Sequence, residues 1–260
     1  MKSCPLRLLR GQTYREIQMK VQHNRTAMLF GEDAIAKLQK SHAAIFGIGG
    51  VGAYVAEALA RSGVGKIDLI DSDVVSESNI NRQLIALHST VGRPKTEVMA
   101  ERIHDIDPDI QVKAINMFYL PENSEEIDIS KYDIIIDAID TVSSKINLAV
   151  RAQEQGVKII SSMGTGNKVD PTALKISDIY KTSVCPLARV MRNELKKRGV
   201  KKLTVVWSDE IPRPSIPLEK LPEGETPAGS RRATPASCAF VPSAAGLIIA
   251  GEAVRQLTEE

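Results

Sequence analysis

Between residues 71 and 95 the chain sets acids, amides and cations in close order: Asp71, Asp73, Asn79, Arg82, Gln83 and Lys95. An acid at a strand end accepts hydrogen bonds from ribose hydroxyls. Fixed Arg and Lys groups hold phosphates and stabilise the charge that builds on them as a phosphate bond breaks. All six residues fall in one strand-to-helix connection, so they can converge on one ligand. A nicotinamide dehydrogenase would use Asp71 and leave Asn79, Arg82 and Lys95 idle, whereas a site that cleaves a triphosphate needs them all. A nucleotide-binding regulator without catalysis would not need the full charged set. Further along, Asp137 and Asp140 follow an apolar run. Asp140 offers the hard oxygen that magnesium on nucleotide phosphates prefers. Asp137 stays open between a ligand and a helix N-cap.

The elements that must position these groups are legible around them. An apolar strand, Ala43 to Phe46, runs into Gly47-Ile48-Gly49-Gly50-Val51-Gly52 and then an Ala-rich amphipathic segment, Ala53 to Arg61. Gly47, Gly49, Gly50 and Gly52 allow a tight turn, a close approach to phosphate, and helix N–H groups aimed at it. A second strand, Lys66 to Ile70, delivers Asp71. Pro94 suits the first turn of a helix reaching Ile106, which Asp107-Pro108 ends. A strand at Gln111 to Ile115 precedes an acidic helix or loop, Glu122 to Ser130. The run Tyr132 to Asp137 reads as a strand buried on both faces. Helix Val142 to Gln155 and strand Val157 to Ser162 complete a further unit. The pattern predicts an α/β fold, a Rossmann-like doubly wound and mostly parallel sheet with helices on both faces. Its C-terminal part adds extra strands and a long mobile loop.

The predicted organisation is a helical arm over 1–40 and one nucleotide-binding domain over 41–260. Within that domain, 208–237 holds six of the chain's 13 prolines and reads as a flap carrying Arg231 and Arg232. A small-residue helix, Ser243 to Leu257, closes the chain. With 260 residues, 43% hydrophobic and a net charge of +2, there is ample material for a core. Arg7 and Arg10 interrupt any leader-like apolar stretch, and the longest apolar run, Ala244 to Ala250, is too short to span a bilayer. A soluble, cytoplasmic protein is expected. The three cysteines form no C-x-x-C pair, so neither a disulfide framework nor a zinc site is indicated. Cys238, beside Ala239 and Phe240, reads as a small hydrophobe, and Cys185 as the better thiol, though no His adjoins it.

The ordered motifs Gly47-x-Gly49-Gly50-x-Gly52, Asp71-x-Asp73, Asn79-x-x-Arg82-Gln83, Gly92-x-Pro94-Lys95 and Asp137-x-x-Asp140 resemble the ubiquitin-activating-like adenylating family. That family includes the activating enzymes of molybdopterin and thiamine synthesis. A later series narrows the resemblance. Gly164-x-Gly166, Asp170-Pro171-Thr172, Asp178-x-x-Lys181-Thr182 and Pro186-Leu187-Ala188 look like the tRNA threonylcarbamoyladenosine dehydratases.

The resemblance implies ATP-dependent adenylation of a carboxylate on the tRNA anticodon loop, followed by cyclisation with net loss of water. Asp71 would hold the ribose and the glycine turn the phosphates. Asn79, Arg82 and Lys95 would stabilise developing charge, joined by Arg25 reaching across a homodimer. Asp140 would hold Mg2+, and a monovalent cation could sit in the Gly164 to Pro171 loop. Because the nucleophile lies within the substrate, no catalytic cysteine is required. A sulfur-transfer protein or cysteine desulfurase is an implied partner. The same-family alternative is adenylation of the C-terminus of a small sulfur-carrier or ubiquitin-like protein, against which the missing C-x-x-C pairs weigh. Seven basic residues and one acid between Arg189 and Lys202 stay open between a solvated helix face and a tRNA contact.

Overall fold

Three consecutive isoleucines with no polar break can be covered only at the centre of a sheet, and Ile134, Ile135 and Ile136 are each fully buried there. The computed structural model describes residues 20–216 and 235–259. Its elements run α1 (Asn24–Phe30), α2 (Glu32–Lys40), β1 (His42–Phe46), α3 (Gly52–Ser62), β2 (Lys66–Asp71), α4 (Lys95–Ile106) and β3 (Gln111–Asn116). They continue with β4 (Ile134–Asp137), α5 (Val142–Gln155), β5 (Lys158–Ser162), β6 (Leu174–Asp178), α6 (Pro186–Lys197), β7 (Thr204–Ser208) and α7 (Phe240–Thr258). Single 3-10 turns fill several connections, among them Glu77–Asn79 and Pro121–Glu126.

The seven strands form one sheet in the order β3-β2-β1-β4-β5-β7-β6. All pairings are parallel except β6 against β7. The strand order reverses between β1 and β4, and open α/β sheets bind ligands in the crevice at such a point. Register places Phe46 beside Ile70 on one side and Asp137 on the other, so the glycine turn leaves the sheet between the two acid-bearing strand ends.

On one face α2, α3, α4 and α7 pack through Leu38, Ala56, Met99 and Ile249. On the other, α5 meets Phe46 and Ile135 through Leu148 and Ala152, while α6 covers Trp207 and Val205 through Met191 and Leu195. The doubly wound architecture predicted from the sequence is the one observed.

Some expectations change in detail. Residues 1–19 of the expected arm lie outside the described residues, and 20–40 form one 3-10 turn and two helices. Arg231 and Arg232 of the expected flap also lie outside them. Helix α7 starts at Phe240, three residues before its predicted start. Cys185 is not an available thiol: it is 2% exposed in the core beneath α6, beside Met163, Ile179 and Met191. Cys185 caps the start of α6 from within that cluster and is the small hydrophobe. Cys238 is the half-buried one, its thiol donating to the Lys168 carbonyl at 3.5 Å.

Candidate active site

Two glycines make the floor possible. Gly47 sits at φ 91°, and a Cβ there would lie 2.6 Å from the Ala138 carbonyl oxygen. At Gly52 a Cβ would fall 1.8 Å from the Gly47 oxygen, so α3 can begin directly under the turn only without a side chain. Phe46, Gly47, Gly49 and Gly50 thereby line a cleft of about 570 Å³. Gly52 lies behind the turn and allows its shape.

Into the same cleft face Asp71, Asp73, Asn79, Arg82, Gln83, Lys95 and Asp140. Residues from separate connections thus meet in one place. The Ile48 N–H donates to Asp71 Oδ2 at 2.6 Å and the Asp73 N–H to Oδ1 at 2.8 Å, which fixes the carboxylate at the end of β2. Lys95 is 5% exposed, and its Nζ lies 2.7 Å from Asp73 Oδ2. The Lys95 N–H also donates to the Asp73 carbonyl at 3.0 Å, so two loops 22 residues apart are tied together. Arg82 Nη1 donates to the Ser78 carbonyl at 2.9 Å and to Asn81 Oδ1 at 2.8 Å. Asn79 Oδ1 accepts from the Ser76 N–H at 3.2 Å, closing a reciprocal cap around residues 77–79. The buried Gln83 Oε1 has no hydrogen-bond partner among the described residues.

Burial pushes the Asp71 carboxyl above the usual carboxylate range, against the nearby Lys95 cation and the two N–H donors. A raised pKa means that the carboxylate takes up a proton earlier as pH falls, and with it loses an acceptor for a ribose hydroxyl. For a nucleotide held at this carboxylate, KM is therefore expected to rise as pH falls through the raised pKa of Asp71. Asp71→Asn should have a high KM that no longer follows pH, and a KM equally pH-sensitive in that variant would assign the titration to another group.

Asp140 is exposed at the mouth of the cleft, with Thr141 Oγ1 3.4 Å from its carboxylate. Among the described residues no cluster of three or more His, Cys, Asp or Glu side chains could hold a metal ion. One carboxylate beside a phosphate site still suits magnesium, which keeps its waters and takes one or two protein oxygens together with substrate phosphates.

Asp137 is not a helix cap. It is fully buried, 2.9 Å from Lys145 Nζ, and accepts from Ser161 Oγ at 2.5 Å and from the Ile139 N–H at 3.2 Å. Lys145 and Ser161 carry no sequence signal of this role, because Val142-Ser143-Ser144-Lys145 looks like an ordinary exposed helix start. The opposite wall of the cleft is the loop through Met163, Gly164, Thr165 and Gly166. Buried Lys168 donates to the Gly164 carbonyl at 2.8 Å, and burial pulls its pKa down. Arg25 does not line the cleft; it is exposed on α1.

The model of the ThiF family matches residues 23–260. The chain belongs to the ThiF family. Among its relatives, a tRNA threonylcarbamoyladenosine dehydratase from Bacillus subtilis (strain 168) is 45% identical over 242 residues, 92% of this chain and 95% of that relative. A solved structure of the Escherichia coli tRNA N6-threonylcarbamoyladenosine dehydratase in complex with ATP superposes with a TM-score of 0.78. It is 32% identical, covering 91% of this chain and 93% of that one. The same enzyme in complex with AMP gives the same TM-score at 33% identity, covering 90% and 92%.

Proposed function

We propose that this ThiF-family protein is an ATP-dependent tRNA threonylcarbamoyladenosine dehydratase. The observation that carries the reading is the convergence of Asp71, Asn79, Arg82, Gln83, Lys95 and Asp140 on a glycine-floored cleft. Relatives alike over nearly their whole length bear that name, and one of them has been solved with ATP and with AMP.

In this reading Asp71 accepts from the ribose hydroxyls, and the N–H groups at the start of α3 face the phosphates. The exposed ring of Phe118 on the cleft wall offers a face to the base. The carboxylate of the modified nucleoside attacks the α-phosphorus and pyrophosphate leaves. Arg82 and Lys95 hold the charge that accumulates on the departing phosphates, and the Asn79 amide helps orient them. The carbamoyl group of the same nucleoside then attacks the activated carbonyl carbon, AMP departs with the former carboxylate oxygen, and a ring closes with net loss of water. No enzyme nucleophile is needed, which agrees with a Cys185 buried in the core. Asp140 would hold Mg2+, which supplies charge neutralisation on the phosphates when bound. A monovalent cation in the Gly164 to Pro171 loop would share it with Lys168, whose Nζ donates to the Gly164 carbonyl at 2.8 Å.

The proposed assembly is a cytoplasmic homodimer in which Arg25 completes the partner's site, with a sulfur-transfer protein or cysteine desulfurase as an accessory partner. In support, Val21, Met28 and Leu29 around Arg25 are 84%, 88% and 77% exposed, an apolar surface suited to a second copy. Among the described residues no helix is long and apolar enough to cross a membrane. Mixing Arg25→Ala protein with Lys95→Ala protein, each strongly impaired alone, should restore turnover, because each heterodimer then holds one intact site. Failure to recover activity after subunit exchange would return Arg25 to its own chain's surface.

The function itself is tested by mass spectrometry of nucleosides from tRNA bearing threonylcarbamoyladenosine, after incubation with the protein, ATP and magnesium. The expected result is an ATP-dependent loss of one water from that nucleoside. An unchanged nucleoside in the presence of bound ATP would point instead to adenylation of a carrier protein's C-terminus, a reading that rests on family membership alone.

A further inference from the structure

Between Arg189 and Lys202 the chain carries seven basic residues and one acid, although its overall net charge is only +2. The structure sorts these cations into two groups. Arg192 is turned inward, where its guanidinium donates to the carbonyl and hydroxyl of Thr182. Lys197 and Arg198 both pair with Glu194, each at 2.6 Å. The remaining four, Arg189, Lys196, Lys201 and Lys202, are exposed and make no ion pair among the described residues. The one acid of the segment is already neutralised, so nothing on the helix offsets them.

Their placement follows from α6. Its first turn reaches the cleft, where Leu187 is part of the wall. Arg189 lies half a turn further on, and Lys196 two turns beyond it on the same face, about 10 Å away at 1.5 Å per residue. Past Gly199, whose φ of 73° ends the helix, come Lys201 and Lys202. Arg189 and Lys196 thus share one face of the helix, and Lys201 and Lys202 follow in the turn past its far end, the end away from the cleft. Long, unpaired side chains spread from the first half of the helix to the turn beyond its other end match a polyanion with many charges better than a single phosphate. A small substrate held wholly in the cleft has no use for the distal pair.

We infer that α6 and the turn after it form a docking strip for the phosphate backbone of the substrate RNA, positioning the helical stem beside the reacting nucleotide in the cleft. This rests on the function proposed above and adds the surface that binds the rest of the substrate. Arg189, Lys196, Lys201 and Lys202 act on the phosphates and leave the chemistry of the cleft untouched.

The test compares the wild type with a variant carrying Arg189→Gln, Lys196→Gln, Lys201→Gln and Lys202→Gln. Binding of tRNA bearing the modified nucleoside is followed across a salt series, alongside KM for tRNA and KM for ATP. The expected result is an at least tenfold weaker affinity for tRNA. The slope of log K against log salt should be shallower by roughly 0.7–0.9 for each phosphate no longer neutralised. An unchanged KM for ATP would show that the cleft is intact. The half-variants Arg189→Gln with Lys196→Gln, and Lys201→Gln with Lys202→Gln, should each give part of the effect. Wild-type affinity and salt slope in a variant with normal KM for ATP would overturn the docking strip while leaving the dehydratase reading in place. A wild-type protein that neither binds nor dehydrates this tRNA would overturn both.

Discussion

Lys95→Ala is expected to lower ATP-dependent turnover by about 10²–10³, the usual loss when one charge donor of a transition state is removed. The structure gives reasons for an effect at the upper end. Lys95 is 5% exposed and sits 2.7 Å from Asp73, with Asp71 close enough to feel its charge. Deleting the ammonium therefore removes the proposed phosphate partner and also leaves Asp71 and Asp73 without the cation beside them. KM for ATP should rise together with the fall in kcat. Arg82→Ala should show a similar loss of kcat with less effect on KM, since its guanidinium is bound to Ser78 and Asn81 and no acid loses its partner. Single-turnover measurement of AMP release reads both, and wild-type turnover in either variant would remove that residue from the mechanism.

Lys145→Met is expected to destabilise the fold by about 3–5 kcal/mol, because it strands the Asp137 carboxylate without its counter-ion at full burial. For a chain of this size that corresponds to a melting temperature lower by roughly 6–20 °C, at about 2–4 °C per kcal/mol. The double replacement Lys145→Met with Asp137→Leu should regain much of the loss, since removing both charges also removes the cost of burying them. The pair matters beyond stability. Asp137 holds the Ile139 N–H and Ser161, and Asp140 leaves the sheet three residues later, so the pair sets where that carboxylate emerges. A melting temperature for Lys145→Met within a degree or two of wild type would show that water or a rearranged side chain replaces the ion pair.

Most of the cleft is readable in the sequence because its parts are backbone devices with narrow chemical demands. The glycine turn, the acid at the end of β2 and the proline before α4 each have few alternatives at those positions. Strand β4 and helix α5 are equally plain, one as an unbroken apolar run and the other as a long amphipathic segment. Strands β6 and β7 are not individually legible. Thr204–Ser208 is only five residues long, and its antiparallel partner, with Lys175 and Ser177 at alternate positions, looks like a loop when read alone. Cys185 misleads for a related reason: its burial depends on how α6 tilts onto Met163 and Ile179, which sequence neighbours do not reveal. The basic run is visible but cannot be divided, because Arg192 and Lys196 look alike until one is found hydrogen-bonded to Thr182.

Helix α7 touches the glycine turn directly. A Cβ on Gly246 would lie 2.5 Å from the Val51 carbonyl oxygen, and Ala245, Ile249 and Ala253 belong to the same apolar cluster as Ala53 and Ala56. The turn near the beginning of the domain is thus buttressed by residues almost two hundred positions later. During synthesis the chain emerges N-terminal end first. Gly47 to Gly52 would leave the ribosome long before their support does, at roughly 5–20 residues per second an interval of about 10–40 seconds. The nascent domain passes through that interval without the part of the α3 surface that α7 covers. A fully supported glycine turn is then acquired only when helix α7 docks.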